Sequence, residues 1–185
     1  RHICDWKLRY ERAGAGPTLG GAGKVVEIDE SCFRHKPKYH KGRTLDPRWV
    51  FGIIDRSSTP AKGYMKLVDK RDADTLLPII EQQVKPGTFV LSDQWRAYNR
   101  IDDIPGLDHG TVNHSVNFVC PETGNHTQGI ESYWAQTKYK IKCMKGVRAV
   151  DLVGYLEEKQ WRDRNGGTSV ESFEHILADI GLRYL

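Results

Sequence analysis

Asn125–Lys145, NHTQGIESYWAQTKYKIKCMK, reads as a helix with a divided surface. At about 100° per residue, Ile130, Tyr133, Trp134, Thr137, Ile141 and Met144 fall within about 60° of one line and form a stripe for burial. Glu131 sits at the edge of that stripe. Lys138 and Lys142 follow on the same flank, about two and three turns further on. A carboxylate at the rim of a buried face, followed by cations, is what a metal site facing a polyanion needs. A plain amphipathic helix with a solvated charged flank has the same pattern, so the rest of the chain has to decide.

Towards the N-terminus, Lys24–Glu30, KVVEIDE, reads as a first strand. Val26 and Ile28 point one way, Glu27 and Asp29 the other. Glu30 points away from Asp29 and is expected in solvent. Arg48–Asp55 is a second strand whose near-continuous apolar run predicts an interior position. Tyr64–Asp69 is a third, completing an antiparallel meander. Asp72–Val84 has helical period, with Asp72 or Asp74 as its cap, and Pro78 predicts a late start near Thr75. Pro86–Asp93 is a turn and a fourth strand ending on Asp93. QWRAYNRI after it reads as a short helix, DDIPGLDHG as loop, and TVNHS with NFVC as a fifth strand.

Beyond the opening helix, Ala149–Arg164 is helical, with Trp161 off its apolar stripe. Thr168 and Glu171 make a capping-box pattern for a last helix, along which Val170, Phe173, Ile176, Leu177 and Ile180 align. This order predicts an α/β fold: a mixed central sheet of three antiparallel strands and two further strands, flanked by helices, with extra C-terminal helices. The expected division is a helix and Gly-rich linker over 1–23, a compact domain over 24–165, and a C-terminal helix packing on it over 166–185.

With 185 residues, 38% hydrophobic and 28% charged, the chain has the size and composition of one globular domain. It has no apolar run of about 18 residues, so no membrane partner is expected. The first residues are charged and then Gly-rich, unlike a signal peptide, and the start at Arg1 reads as an excised domain. Cys4, Cys32, Cys120 and Cys143 are scattered without a CxxC, which argues for reduced thiols rather than zinc or disulfides.

Net charge is +4, unevenly spread. Arg34, Lys36, Lys38, Lys41 and Arg43 fall in one acid-free stretch; Lys138, Lys140, Lys142, Lys145 and Arg148 fall in another. Without those ten, 18 of the 28 basic residues face 24 acids, a remainder of −6. A basic patch on an acidic body is the footprint of a phosphate backbone. His35, Tyr39 and His40 lie among the first cations and Trp95 follows Asp93, placed for phosphate contact or base stacking. With Lys138, Lys142 and Lys145 they complete the expected DNA-contact set.

Three carboxylates stand out by position. Asp29 is in the middle of the first strand. Asp93 ends a buried strand, where open α/β sheets bind ligands. Glu131 opens the helix. They converge if the first and fourth strands are neighbours and the helix packs across them. Three hard oxygen ligands suit Mg²⁺ or Mn²⁺. Two such ions about 4 Å apart can activate a water or a 3′-hydroxyl at a phosphodiester. Glu27 and His114 are candidate neighbours of that site. Asp55 also ends a strand, but the turn after it predicts turn initiation.

VEIDESCFRHKPKYHKGR, VFGIID, SDQWRAY, VNHSVNFV, HTQ-x-IESYW with its later lysine, and YLEEKQWRDR recur in order over Val25–Arg164. In these motifs the chain resembles DDE transposases of the Merlin superfamily, eukaryotic relatives of bacterial insertion-sequence transposases. The resemblance implies a ribonuclease-H-like fold and metal-dependent cleavage and joining of DNA at element ends. It matches the triad to Asp29, Asp93 and Glu131, holding two Mg²⁺ (or Mn²⁺) ions, and the following basic residue to Lys138. Some bacterial relatives use Asn as third ligand; Gln128 stands in the preceding HTQ motif and is expected beside the site. Terminal inverted repeats and target DNA are the implied partners, with a homodimer in a synaptic complex. The implied location is the nucleus, or the cytoplasm of a bacterium if the eukaryotic placement fails. Two other readings stay open: a domesticated DNA-binding or interaction module that no longer cuts, and a plain nuclease of the same fold.

Overall fold

A computed structural model describes Cys4 and residues 19–33, 46–59, 61–112 and 128–184. The strands are β1 (Leu19–Gly20), β2 (Val25–Cys32), β3 (Trp49–Asp55), β4 (Lys62–Val68), β5 (Val84–Lys85), β6 (Thr88–Ser92) and β7 (Leu107–Thr111). The helices are α1 (Ala73–Gln83), α2 (Gln128–Cys143), α3 (Ala149–Asn165) and α4 (Ser169–Tyr184). Two short 3-10 turns, Arg96–Tyr98 and Ile101–Asp103, follow β6 where one short helix was expected.

Five strands form one sheet in the order β4-β3-β2-β6-β7. β2, β3 and β4 pair antiparallel, as the meander predicts. β6 lies parallel to β2, with Val26 opposite Val90, so the first and fourth expected strands are neighbours. β7 adds parallel to β6, from Leu107 to Thr111, in a stretch that reads as loop. Its LDHGT sequence is too polar and too short to show a strand period; pairing with β6 imposes the conformation. The expected strand over TVNHS and NFVC falls mostly outside the described residues.

Period-2 alternation sends the two faces of the sheet to separate cores. Val26, Ile28, Phe51 and Ile53 pack with Leu76 and Ile80 of α1 and with Tyr98 and Ile101. On the other face Val50, Ile54 and Met65 pack with Ile130, Tyr133 and Trp134 of α2 and with Leu152 and Leu156 of α3. Each fully buried aliphatic side chain contributes about 1.5–3 kcal/mol. Leu19 is buried in the first core, so the described fold begins before Lys24.

Three local expectations change. α1 starts at Ala73 rather than near Thr75, because Asp72 Oδ1 accepts the Thr75 N–H at 3.0 Å and fixes the first turn. Pro78 and Asp74 are both exposed, so the backbone bond Pro78 cannot donate is lost at a solvated carbonyl. In α2, Ile130, Tyr133, Trp134 and Thr137 are buried as predicted, but Met144 lies past the helix end and is exposed. Trp161 is fully buried, donating its indole N–H to Asp179 of α4 at 2.8 Å. No helix among the described residues is long and apolar enough to cross a membrane. Cys4, Cys32 and Cys143 are free thiols.

Candidate active site

The outward face of β2 and one side of α2 are joined rung by rung. The Ile130 N–H donates to Glu27 Oε2 at 2.7 Å, the Trp134 indole N–H to Asp29 Oδ2 at 2.9 Å, and the Lys138 ammonium to Ser31 Oγ at 2.6 Å. Every second strand residue thus meets every fourth helix residue. Two strand residues advance about 6.6 Å and four helix residues about 6.0 Å, so the two repeats stay in step over three rungs. The helix is held in register along the strand that carries Asp29.

Two glycines make this approach possible. Gly52 pairs directly with Asp29 across the β2–β3 ladder, and a Cβ there would lie 2.5 Å from the Trp134 ring. A Cβ on Gly129 would lie 2.8 Å from Glu27 Oε2. Glu27 is fully buried and also accepts from Arg56 Nη1 at 2.7 Å. A carboxylate against the first-turn amides of α2 opposes the positive end of the helix dipole. Glu27 therefore anchors the helix start.

On the neighbouring strand, Asp93 follows the last residue of β6. Its Oδ1 accepts the Trp95 N–H at 3.0 Å, a local turn that leads into Arg96–Tyr98. Asp29 and Asp93 both act on Glu30. Burial pushes the Glu30 carboxyl up to about 7, with the charges of Asp29 and Asp93 adding to the rise and Tyr98 and Arg71 opposing it. Burial, then Glu30, Asp29 and Asp93, likewise push the Tyr98 phenol well above its ordinary value. Glu30 faces Tyr98, yet Glu30 Oε1 and the Tyr98 hydroxyl oxygen are buried without a hydrogen bond of normal geometry. Glu30 is thus not the solvated residue its alternation predicts. It lies on the far face from Asp29, but the chain after β6 covers that face.

Asp29 and Asp93 each stand two residues beyond the Glu27–Leu91 pair of the parallel β2–β6 ladder, and both charges reach Glu30. Glu131 lies in the first turn of α2, exposed, three residues before Trp134. Among the described residues no three His, Cys, Asp or Glu side chains stand together as a metal-binding group. Asp29 lies in β2, Asp93 follows the adjacent parallel β6, and Glu131 lies one turn before Trp134, the α2 residue that donates to Asp29. The donor chemistry of Asp29 and Asp93, two hard carboxylates on neighbouring strands whose charges add to the rise of Glu30, is of the type that suits a divalent cation.

Of the expected DNA contacts, Arg34, His35, Lys36, Lys38, Tyr39, His40, Lys41 and Arg43 lie outside the described residues, as does His114. Gln128 opens α2 and is exposed. Trp95 is 43% exposed; its indole donates to the Arg71 carbonyl at 3.2 Å. The Arg71 guanidinium stacks 3.6 Å over the Trp49 ring and 5.3 Å from the Trp95 ring. Lys142 and Lys145 are exposed, whereas Lys140 is bound to Glu158 at 2.6 Å. Asp55 behaves as the sequence predicts, accepting the Ser57 N–H at 2.8 Å within the turn, and it also accepts the Gly20 N–H.

Sequence reasoning passed over Trp134 and Ser31 as partners of the site, although the matched repeats of two and four are readable. It also passed over His109, whose Nε2 lies 2.8 Å from Ser92 Oγ beside Asp93. Burial lowers the His109 imidazole, against the opposing pull of Asp102. His109 lies in the stretch that reads as loop, where no signal marks it.

A sequence model described as the ISXO2-like transposase domain matches residues 18–164. A Haemophilus influenzae protein described as an uncharacterized transposase-like protein is 34% identical over 119 residues, 64% of this chain and 93% of that protein. Among solved structures, the catalytic core domain of BIV integrase aligns with a TM-score of 0.50 at 12% identity, over 87% of this chain and 98% of that one. A chain of the simian T-cell lymphotropic virus intasome, solved with PP2A regulatory subunit B56 gamma, aligns with a TM-score of 0.47 at 9% identity. That match covers 78% of this chain and spans about half, 52%, of the other. The sheet order and flanking helices are those of the ribonuclease-H-like fold of integrase cores. A family match over residues 18–164 takes in the whole sheet and helices α1 to α3, and on that match the chain belongs to the ISXO2-like transposase domain family.

Proposed function

We propose that this chain is the catalytic domain of a cut-and-paste DNA transposase, cleaving and joining DNA at element ends with Asp29, Asp93 and Glu131 as its carboxylates. The carrying observation is that Asp29 lies in β2 and Asp93 directly after the adjacent parallel β6, with α2 fixed along β2 by the Glu27, Asp29 and Ser31 contacts. A divalent Mg²⁺ or Mn²⁺ pair held by these residues would supply charge stabilisation at the phosphodiester. The chemistry is in-line displacement at phosphorus: water attacks first and frees a 3′-hydroxyl, which then attacks target DNA. The chain's own part is to hold and orient the strands. Lys142 and Lys145 on and just past α2, with the Arg34–Arg43 segment, are the proposed phosphate contacts, and Trp95 a stacking contact.

The finer family placement, in the Merlin superfamily, rests on the order of the VEIDE, SDQWRAY and IESYW motifs, and a nuclear location would follow from it. A dimer that synapses two ends is part of the same proposal.

The test is joining of a pre-cut element end to a plasmid in Mg²⁺ or Mn²⁺. Asp29→Ala, Asp93→Ala and Glu131→Ala should each abolish joining with DNA affinity kept; the melting temperature should hold in Asp93→Ala and Glu131→Ala and fall in Asp29→Ala, which loses the acceptor of the Trp134 indole N–H. Joining retained in any one variant removes that residue from the site. Cleavage without joining in the wild type would identify a plain nuclease. DNA binding with no metal uptake, by Mn²⁺ calorimetry of the wild type beside Asp93→Ala, would identify a binding module that no longer cuts.

A further inference from the structure

Helix α4 meets the rest of the fold through Ile176, half-buried against Trp161 and Cys4, and Asp179, and leaves most of its apolar side chains outside. Its buried residue is Asp179, which accepts the Trp161 indole N–H at 2.8 Å. Five of its large apolar side chains face solvent along one line: Val170 is 65% exposed, Phe173 60%, Leu177 50%, Ile180 38% and Tyr184 63%; Leu182, also exposed, lies off that line. The helix is well formed at its start, where Glu171 Oε2 accepts the Thr168 N–H at 2.6 Å and Thr168 Oγ1 accepts the Glu171 N–H at 3.3 Å.

The five exposed residues follow one another at intervals of three, four, three and four, the a and d positions of a heptad. At about 100° per residue they fall within about 80° of arc, away from Asp179. An a/d seam of this kind is shaped for another helix rather than for a flat surface or a small ligand. Three observations choose the partner. The helix carries Glu171, Glu174 and Asp179 against Arg183, a net charge of −2, which disfavours anionic lipid and nucleic acid alike. The seam itself holds no charge, so a copy of it packed on itself strands no ion, as a two-fold interface requires. At the stated exposures the seam presents on the order of 500 Å² per molecule, about 1,000 Å² for a pair, which reaches the floor of a specific interface.

We propose that α4 is a self-association seam, packing against α4 of a second copy of this chain in a two-fold dimer. It lies beyond residues 18–164 of the family match and does not depend on the catalytic reading.

Sedimentation equilibrium of the full chain without DNA, from low micromolar to hundreds of micromolar, tests the seam. The expected result is a reversible monomer–dimer equilibrium. Phe173→Glu and Leu177→Glu, at exposed positions, should weaken it by about tenfold or more with helix content unchanged, while Leu177→Met keeps it. A wild type monomeric throughout, or a dimer undisturbed by both glutamates, overturns the proposal. Should the glutamates unfold the helix, hydrogen exchange on the wild type decides. Protection of α4 amides that rises with protein concentration supports the seam, and protection that stays flat overturns it. Joining activity is not read in this experiment, so failure of the seam and failure of the transposase reading remain distinct.

Discussion

Asp29 Oδ2 accepts the indole N–H of Trp134 at 2.9 Å, tying the middle of the central strand to the second turn of α2. Trp134 also packs edge-on against Phe33, with ring centroids 5.8 Å apart. A hydrogen bond to a charged group contributes about 1.5–3 kcal/mol, so Trp134→Phe should cost about 2–3 kcal/mol in urea unfolding once the smaller ring is included. The Asp29 carboxylate then loses one constraint on its rotamer. Joining of a pre-cut end should fall further than DNA affinity does. Equal losses in both would assign Trp134 to the core alone.

Gly52→Ala tests the same contact from the other side. The added Cβ would sit 2.5 Å from the Trp134 ring, in a strand with neighbours on both edges. Overpacking of this kind costs about 1–3 kcal/mol. The tryptophan must move away from Asp29, so its near-ultraviolet dichroism should change as well. A variant as stable as the wild type, with the same aromatic signal, would mean that α2 yields freely along the sheet.

How much of this arrangement the sequence discloses varies with the kind of signal. Val26 and Ile28 alternate with Glu27 and Asp29, and that alternation correctly sends the acids to the α2 side. Asp93 at the end of an apolar strand is equally plain, because a buried strand and its exit differ sharply in composition. Glu30 is misread because alternation tells which face a residue shares but not what covers that face; Tyr98, arriving after β6, buries it. β7 is missed because its conformation comes from its partner, Thr88–Ser92, rather than from its own residues. On α4 the apolar stripe is correctly periodic, yet of its members only Ile176 packs inward, against Trp161, while Val170, Phe173, Leu177 and Ile180 face outward, since Trp161 claims the side that carries Asp179. Periodicity defines a face and leaves open which neighbour claims it.

Glu27 should be more costly to remove than any partner it holds. It is fully buried between the Ile130 N–H and Arg56, both at 2.7 Å. Glu27→Ala leaves a first-turn amide and a guanidinium without their acceptor and should destabilise by about 3–4 kcal/mol. Glu27→Gln keeps an acceptor for the amide and should cost about half as much. The Arg56 side chain is 41% exposed, so Arg56→Ala should cost about 1 kcal/mol or less. Urea unfolding of the three variants gives the ranking; Arg56→Ala as severe as Glu27→Ala would make the ion pair, rather than the helix start, the dominant contact.

Glu158 gives the fold an acid-sensitive clasp between α2 and α3. Burial raises its carboxyl, but hydrogen bonds from Lys140 and Arg162 outweigh burial and hold it below the usual value. A carboxylate lowered on folding stabilises above its unfolded pKa and loses that contribution as pH falls through its folded one. With both cations half exposed, the contribution is about 1 kcal/mol. Glu158→Gln should therefore lower stability by that amount at neutral pH, and the gap from wild type should narrow as pH falls below the ordinary glutamate value. A gap that is constant with pH would assign the loss to packing.

The lysines of α2 separate in the same way when DNA is added. Lys140 is engaged by Glu158, and Lys138 donates to Ser31 while lying 5.1 Å from the Phe33 ring. Lys142 is exposed on the flank that follows Lys138. Each phosphate neutralised adds about 0.9 to the slope of log K against log salt concentration on duplex DNA. Lys142→Ala should reduce that slope by about 1 and leave unfolding unchanged. Lys140→Ala should leave the slope alone and lower stability by about 1 kcal/mol or less, since Glu158 loses one of its two cations and keeps Arg162. Filter binding across a salt series, beside urea unfolding of both variants, reads the two effects separately. A slope moved by Lys140→Ala and untouched by Lys142→Ala would place the phosphate track on the α3 side of the helix.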